Sequence, residues 1–363
     1  MRIVFQFALI RAIRGKKKMG LKEEIFEQPA ILQNWLATQL DNTQRIADAI
    51  RKRNIEFVFL AARGTSDHAG VYAQYLWGTL NRLPVAFAAP SLFTRYSGWP
   101  RLTNALVVGV SQSGQSPDVV SVIDEGRRQG ALTLAIANNV ESPLAQAAQF
   151  TLDVHAGVEE AVAATKSYTA ELMAIAALSA ALTGESDQLN ALQAVPEAVA
   201  QVLKLDVEVE QIAVQYRAMS RCVVLGRGYN YCSAMEWALK LKELAYVFAD
   251  PYSAADFQHG PIAIVEPGFP MLAIAPRGAV LDDVTSLLRR LRADHGADLI
   301  VISDDSETLS LGHASMRLPD NLPEWLTPLV SIVPAQMFCF HLTRAKGYDT
   351  EAPRSLRKVT LTR

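Results

Sequence analysis

The sequence predicts an α/β protein made of two tandem, doubly wound parallel-sheet domains. Three observations carry that expectation. From residue 56 onward, short continuous apolar runs alternate with longer segments of helical periodicity. Strands of that kind belong to a parallel sheet covered by helices on both faces. The pattern then returns at a nearly constant spacing: Arg63–Gly64 reappears as Arg227–Gly228 and Gly114 as Gly278, each 164 residues on, and Gly130 as Gly296, 166 on. Finally, the chain has 363 residues, enough for two domains of about 150 each.

The elements follow in order. Residues 1–19 hold a brief apolar run flanked by arginine and then GKKK, with no A-x-A-like cleavage site. They are too short to span a bilayer and read as a leader outside the native protein, with Met19 as the start. Residues 20–50 form a helical segment, with clean apolar periodicity from Ile25 to Leu40. The first domain is expected over 51–195. It has strands at 57–62, 85–89, 106–110 and 132–137, a helix at 67–80, and a helix at 117–129 closed by Gly130. The Ala-rich stretch 151–215 reads as a helical connection. The second domain is expected over 205–345. There RCVVLGRG (221–228), PMLAIAPRG (270–278) and GADLIVISDD (296–305) mirror EFVFLAARG, LVVGVSQSG and GALTLAIANN. Residues 346–363 form a C-terminal tail.

Composition narrows the function classes. Apolar residues make up 50% and charged residues 20%, so a large core is available and the chain is not disordered. Lys+Arg total 35 against Asp+Glu 37, which argues against a nucleic-acid binder driven by bulk charge; a local basic patch stays open. Beyond the leader, no apolar stretch reads as membrane length without charges or breakers, so no membrane partner is expected. Cys222, Cys232 and Cys339 form no C-x-x-C pair, and the six histidines show no ligand spacing. Neither a disulfide framework, a metal site nor a cofactor is indicated, and a reducing cytoplasm fits.

The candidate chemistry lies at the repeat's strand ends. In ARGTSDHAG (62–70), Gly64 makes a tight turn and Thr65 and Ser66 precede a helix, whose free N–H groups favour an anion. The same residues also suit an ordinary helix cap at Ser66 or Asp67. SQSGQSPD (111–118) crowds Ser111, Gln112, Ser113 and Ser116 at a strand's carboxyl end, with Gly114 for a sharp turn and Pro117 at the first helical position. Ligands of open α/β sheets bind beyond that end, so these two loops point to a phosphomonoester. The second copy lacks the hydroxyls, and GRGYNY (226–231) lacks the third glycine of a dinucleotide fingerprint. On EWALKLKE (236–243), helical spacing puts Glu236, Lys240 and Glu243 on one face, with Lys242 elsewhere. That face suits acid/base work, or equally a solvated Glu–Lys pair. His259, before Gly-Pro, reads as a loop histidine able to move a proton. Lys358, between apolar residues of the tail, reads either as a reactive amine or as part of a solvated basic terminus.

In order along the chain, RGTSDHAG, SQSGQSPD, VAATKSYT (162–169), ALKLKE (238–243), HGP (259–261) and PRSLRKVT resemble the SIS (sugar isomerase) family. The likeness is to the isomerase half of glucosamine-6-phosphate synthase and, more closely, to stand-alone SIS-type glucosamine-6-phosphate deaminases. It covers roughly 23–363 and implies flavodoxin-like domains. It also implies a sugar phosphate held by Gly64, Thr65, Ser66, Ser111, Gln112, Ser113 and Ser116. By the same resemblance the backbone of Val162, Ala163 and Ala164 lines the sugar, and Glu243 moves a proton between C1 and C2. His259 opens the ring from the neighbouring subunit of a homodimer, and Lys358 forms a Schiff base with an open-chain ketose. Glu236 and Lys240 support the site, and the tail closes over it. The synthase pattern has Ser at Ala164 and Gly at Trp237, and its glutaminase domain with an N-terminal nucleophilic cysteine has no counterpart here. The resemblance therefore implies deamination of glucosamine 6-phosphate without glutaminase activity. An aldose–ketose isomerase, a fructosamine-phosphate deglycase and a non-catalytic sugar-phosphate sensor are the alternatives.

Overall fold

Helix α1 (Leu21–Arg51) opens the fold and lays Leu21, Ile25, Leu32, Trp35, Leu36, Ile46 and Ile50 into the core. The coordinates are a computed structural model and describe residues 20–359; the predicted leader at 1–19 lies outside the described residues.

The first unit follows as β1 (Phe57–Ala61), α2 (Thr65–Asn81), β2 (Val85–Phe87), β3 (Ala105–Ser111), α3 (Pro117–Arg128), β4 (Leu132–Ala137) and β5 (Phe150–Asp153). Helices α4 (Lys166–Thr183), α5 (Val195–Leu203) and α6 (Asp206–Gln215) lead to the second unit. That unit contains β6 (Arg221–Gly226), α7 (Tyr231–Leu244), β7 (Phe248–Ser253), β8 (Pro270–Ile274), α8 (Leu281–Ala293), β9 (Asp298–Ser303), β10 (Ala314–Arg317) and α9 (Thr327–Ala345). The sheets run β2-β1-β3-β4-β5 and β7-β6-β8-β9-β10, and every pairing is parallel. Both therefore show the order 2-1-3-4-5, so the repeat extends from spacing to topology. In each sheet the winding reverses beside the first strand, between β1 and β3 and between β6 and β8. A crevice opens there at the carboxyl ends.

Burial explains the strand signal. All seven residues of β3 and all six of β4 are buried, because helices cover both faces. One apolar cluster joins the inward faces of both sheets to α1, α2, α4, α7 and α9. Two smaller clusters fill the outer layers under α3 and under α8.

Three expectations are corrected. The stretch 151–215 is not a plain connection: β5 completes the first sheet, and α4, buried almost end to end, sits at the centre of the shared core. The strands β5, β7 and β10 were not anticipated. They are sheet edges, short and only partly buried, and β7 carries Pro251, which edge strands tolerate. One segment, Glu324–Ala345, does reach membrane length and hydropathy, yet its apolar window is wholly buried inside the protein. An all-round apolar helix marks a core position as readily as a span.

Candidate active site

The β1–β3 crevice is a cavity of about 280 Å³ lined by Arg63, Gly64, Thr65, Ser66, Ser111, Gln112, Ser113 and Ser116 of the first unit. Val162, Ala164, Lys240 and Glu243, with Leu356–Val359 of the tail, complete the wall. Two loops shape its floor. Gly64 turns with φ +56°, and α2 starts at Thr65. Thr65 and Ser66 thus sit in the first turn rather than at a cap, where N–H groups lack helical partners. In the second loop Ser111 Oγ accepts from Gly114 N–H at 3.1 Å, and Ser116 precedes Pro117 at the head of α3. Gly114 has φ +62°, and a Cβ there would lie 2.1 Å from Ser142 Oγ, so the loop requires glycine.

Helix α7 comes from the second unit, yet turns its polar face to this crevice. Glu236 is fully buried and holds Thr65 Oγ1 at 3.1 Å, His68 Nδ1 at 2.7 Å and Lys240 Nζ at 3.3 Å. Lys240 is equally buried and reaches Thr65 Oγ1 at 3.3 Å and Glu243 Oε2 at 2.5 Å. Glu243 is the solvent-facing end, with a side chain 24% exposed. Lys242 points to solvent. Burial alone would raise the Glu236 carboxyl, but Lys240 and His68 outweigh it and hold it below the usual value. Burial likewise disfavours the Lys240 ammonium; Glu236 and Glu243 reverse this and hold it above an ordinary lysine. The line His68–Glu236–Lys240–Glu243 therefore keeps a fixed cation beside the exposed carboxylate.

The tail brings Lys358 to the opposite wall. Its Nζ lies 2.6 Å from Glu159 Oε2. Glu159, buried, also accepts Thr165 N–H at 2.9 Å, Ser167 N–H at 3.0 Å and Ser167 Oγ–H at 2.7 Å, which satisfies the start of α4. Burial pushes its pKa up, and Lys358 with these donors brings it below the ordinary value. The next two backbone N–H groups, of Glu160 and Ala161, turn to the buried Glu24 of α1. The segment carrying Val162 and Ala164 is thus clamped from both sides.

Other candidates fall elsewhere. Ala163 is buried beside the cavity but is not among its lining residues, and Glu236 lies beneath it. Trp237 packs edge-on against Phe338 in the core, so the change there touches no wall of the cavity. His259 is exposed after a turn of 3-10 helix and lies outside this lining. Sequence reasoning missed Arg63, Arg357, His68, Glu159 and Glu171. Arg63 had a signal, the repeated Arg-Gly doublet: Arg63 Nε pairs with Asp118 at 2.8 Å, and Arg227 pairs with Asp283 at 2.9 Å. Among the described residues no cluster of His, Cys, Asp and Glu could hold a metal ion.

The second crevice differs as its missing hydroxyls foretold. There Glu324 Oε2 accepts Ala279 N–H at 2.9 Å, and a Cβ on Gly278 would overlap its side chain. A carboxylate stands against the Gly278–Ala279 turn, where in the first unit the matching Gly114 and Gln115 N–H groups are held by Ser111 and Ser113.

Fold and site together define a duplicated doubly wound α/β protein with a hydroxyl-lined crevice in the first repeat and a Glu–Lys–Glu helix face brought to it by the second. The family profile described as SIS domain matches residues 52–181 and 216–344, and the chain belongs to that family. It is 34% identical over 353 residues to glutamine–fructose-6-phosphate aminotransferase [isomerizing] of Aquifex aeolicus, covering 97% of this chain and 59% of that protein. The chain thus spans little more than half the length of that relative. The solved C-terminal domain of glucosamine-fructose-6-phosphate aminotransferase from Francisella tularensis superposes with TM-score 0.84 at 28% identity, over 94% of this chain and 99% of that one. A glucosamine-6-phosphate deaminase from Thermotoga maritima superposes with TM-score 0.75 at 19% identity, over 94% and 99%; that likeness is one of fold.

Proposed function

We propose that this protein is a sugar-phosphate enzyme that moves a proton between C1 and C2, with the net conversion of glucosamine 6-phosphate and water to fructose 6-phosphate and ammonia. The observation that carries the reading is the sharing of one cavity by the hydroxyl loops, Glu243 and Lys358. The phosphomonoester sits against Thr65, Ser66, Ser111, Ser113 and Ser116 and anchors the sugar away from the reacting carbons. Glu243 takes the C2 proton and returns it at C1, leaving a C2 imine that water hydrolyses. Lys240 steadies the carboxylate without competing for the proton, since its ammonium is held charged. Lys358 orients the open chain. His259, exposed here, opens the ring from a second copy in a homodimer.

The test is release of ammonia and fructose 6-phosphate from glucosamine 6-phosphate, and its loss in Glu243→Gln. Interconversion of aldose and ketose phosphates without ammonia makes the protein an isomerase of the same class. Release of a free amino acid from a fructosamine phosphate makes it a deglycase. Ligand binding unaltered by Glu243→Gln, with no turnover of any of these, makes it a sensor.

A further inference from the structure

Glu171 of α4 is 1% exposed, and the chemistry above gives it no part. Its Oε1 lies 2.8 Å from Ser66 Oγ, and its Oε2 has no hydrogen-bond partner. Ser66 in turn lines the cavity. A hydroxyl has a single hydrogen to donate. If Glu171 is ionised, Ser66 must give that hydrogen to the carboxylate. If Glu171 is protonated, the acid can donate to Ser66 Oγ, and the serine hydrogen is free for a phosphate oxygen.

The surroundings favour the protonated form. Glu159, from the segment before α4, and Glu236, from α7, both oppose a further negative charge. Lys358 of the tail favours one, but it is already paired with Glu159. On the other packed elements, His68 of α2 and Lys240 of α7 are engaged by Glu236, and Glu27 of α1 is engaged by Lys166. Glu24 of α1 holds the N–H groups of Glu160 and Ala161. Tyr168, one turn earlier on α4, is buried and neutral beside the group. Burial, partly offset by the bond from Ser66 and reinforced by the two carboxylates, pushes Glu171 up to about 8.

We propose that Glu171 is a positioning residue for the ligand-binding hydroxyl of Ser66, and that its ionisation withdraws that hydroxyl and weakens the grip on a phosphomonoester in alkaline solution. The proposal rests on the phosphomonoester reading of the crevice.

Calorimetric titration of the full chain with a 1,5-anhydrohexitol 6-phosphate tests it. This probe keeps the phosphate ester but lacks the reacting carbonyl. Between pH 7 and 9.5 the ester is already a dianion, since its second pKa is about 6. The wild-type Kd should rise about tenfold or more across that range, the worth of one hydrogen bond to a charged group. Glu171→Gln, which offers Ser66 an amide that cannot ionise, should show no alkaline rise. Ser66→Ala should bind more weakly at pH 7 and should also lose the rise, which keeps the test open should Glu171→Gln fail to fold. A flat wild-type profile, or a rise that persists in either variant, overturns the role of Glu171 alone. No binding by the wild type at any pH overturns the phosphomonoester reading and this proposal together.

Discussion

Replacing Lys240 by methionine keeps the packed stem and deletes the ammonium. In the wild type that ammonium stands 3.3 Å from Glu236 and 2.5 Å from Glu243, with both Lys240 and Glu236 buried. At 3.3 Å and an effective dielectric of about 20, the Coulomb attraction to Glu236 is about 5 kcal/mol before desolvation. Deleting one partner of a buried pair typically costs about 3–5 kcal/mol, because the survivor is left charged and unsolvated. Thr65 and His68 still reach Glu236, so the expected loss is near the lower figure, about 3 kcal/mol. Urea unfolding of Lys240→Met, Glu236→Gln and the double variant measures it. The double variant should recover at least about 2 kcal/mol of the loss, since no buried charge remains. The sign with pH follows from the depressed carboxyl. Glu236 contributes stability above the ordinary carboxylate range and loses it as pH falls through its lower folded value. That contribution is absent in Lys240→Met, so the gap between the two proteins should narrow toward acid. A single-variant cost below about 1 kcal/mol, the value of an exposed pair, or no rescue by Glu236→Gln, would refute the reasoning.

Glu159→Gln weakens the anchor of both Lys358 and the head of α4; limited trypsinolysis should cut at Arg354 and Arg357 faster than in the wild type while the body of the chain stays resistant. Burial, set against the Glu160 N–H, raises the Glu24 carboxyl to about 7. The folded protein therefore binds the extra proton, and this group's contribution to stability is full below about 4.5 and lost as pH rises through about 7. Melting temperatures of Glu24→Gln should fall less steeply over that window than those of the wild type. Gly114→Ala meets Ser142 Oγ at 2.1 Å and a left-handed φ; it should cost at least about 1–3 kcal/mol in denaturant unfolding and abolish binding of the phosphate probe.

Much of the site was legible because its signals are local. The hydroxyl loops announce themselves by composition at strand ends, and Glu236, Lys240 and Glu243 by helical spacing within a single helix. Glu159 and Glu171 carried no such mark: they sit in or beside Ala-rich sequence without a motif around them, and their meaning comes from partners such as Lys358 and Ser66 far along the chain. Of the edge strands, β2 was legible while β5, β7 and β10 were lost for a related reason, since half-exposed residues blur the apolar run that marks β3 and β4.

By itself the sequence determined the duplication, the central strands of both sheets and the hydroxyl-bearing loops that shape the crevice. These depend on turn chemistry, on continuous apolar runs and on a period of 3.6 residues, which act over a few neighbours. Tertiary packing decided the rest: that α7 of one repeat lines the crevice of the other, that Lys358 meets Glu159 across 199 residues, and that Glu324 stands against the Gly278–Ala279 turn of the second unit. Such pairings form only when buried faces meet and charges losing water must find partners, a condition that no short stretch of chain encodes.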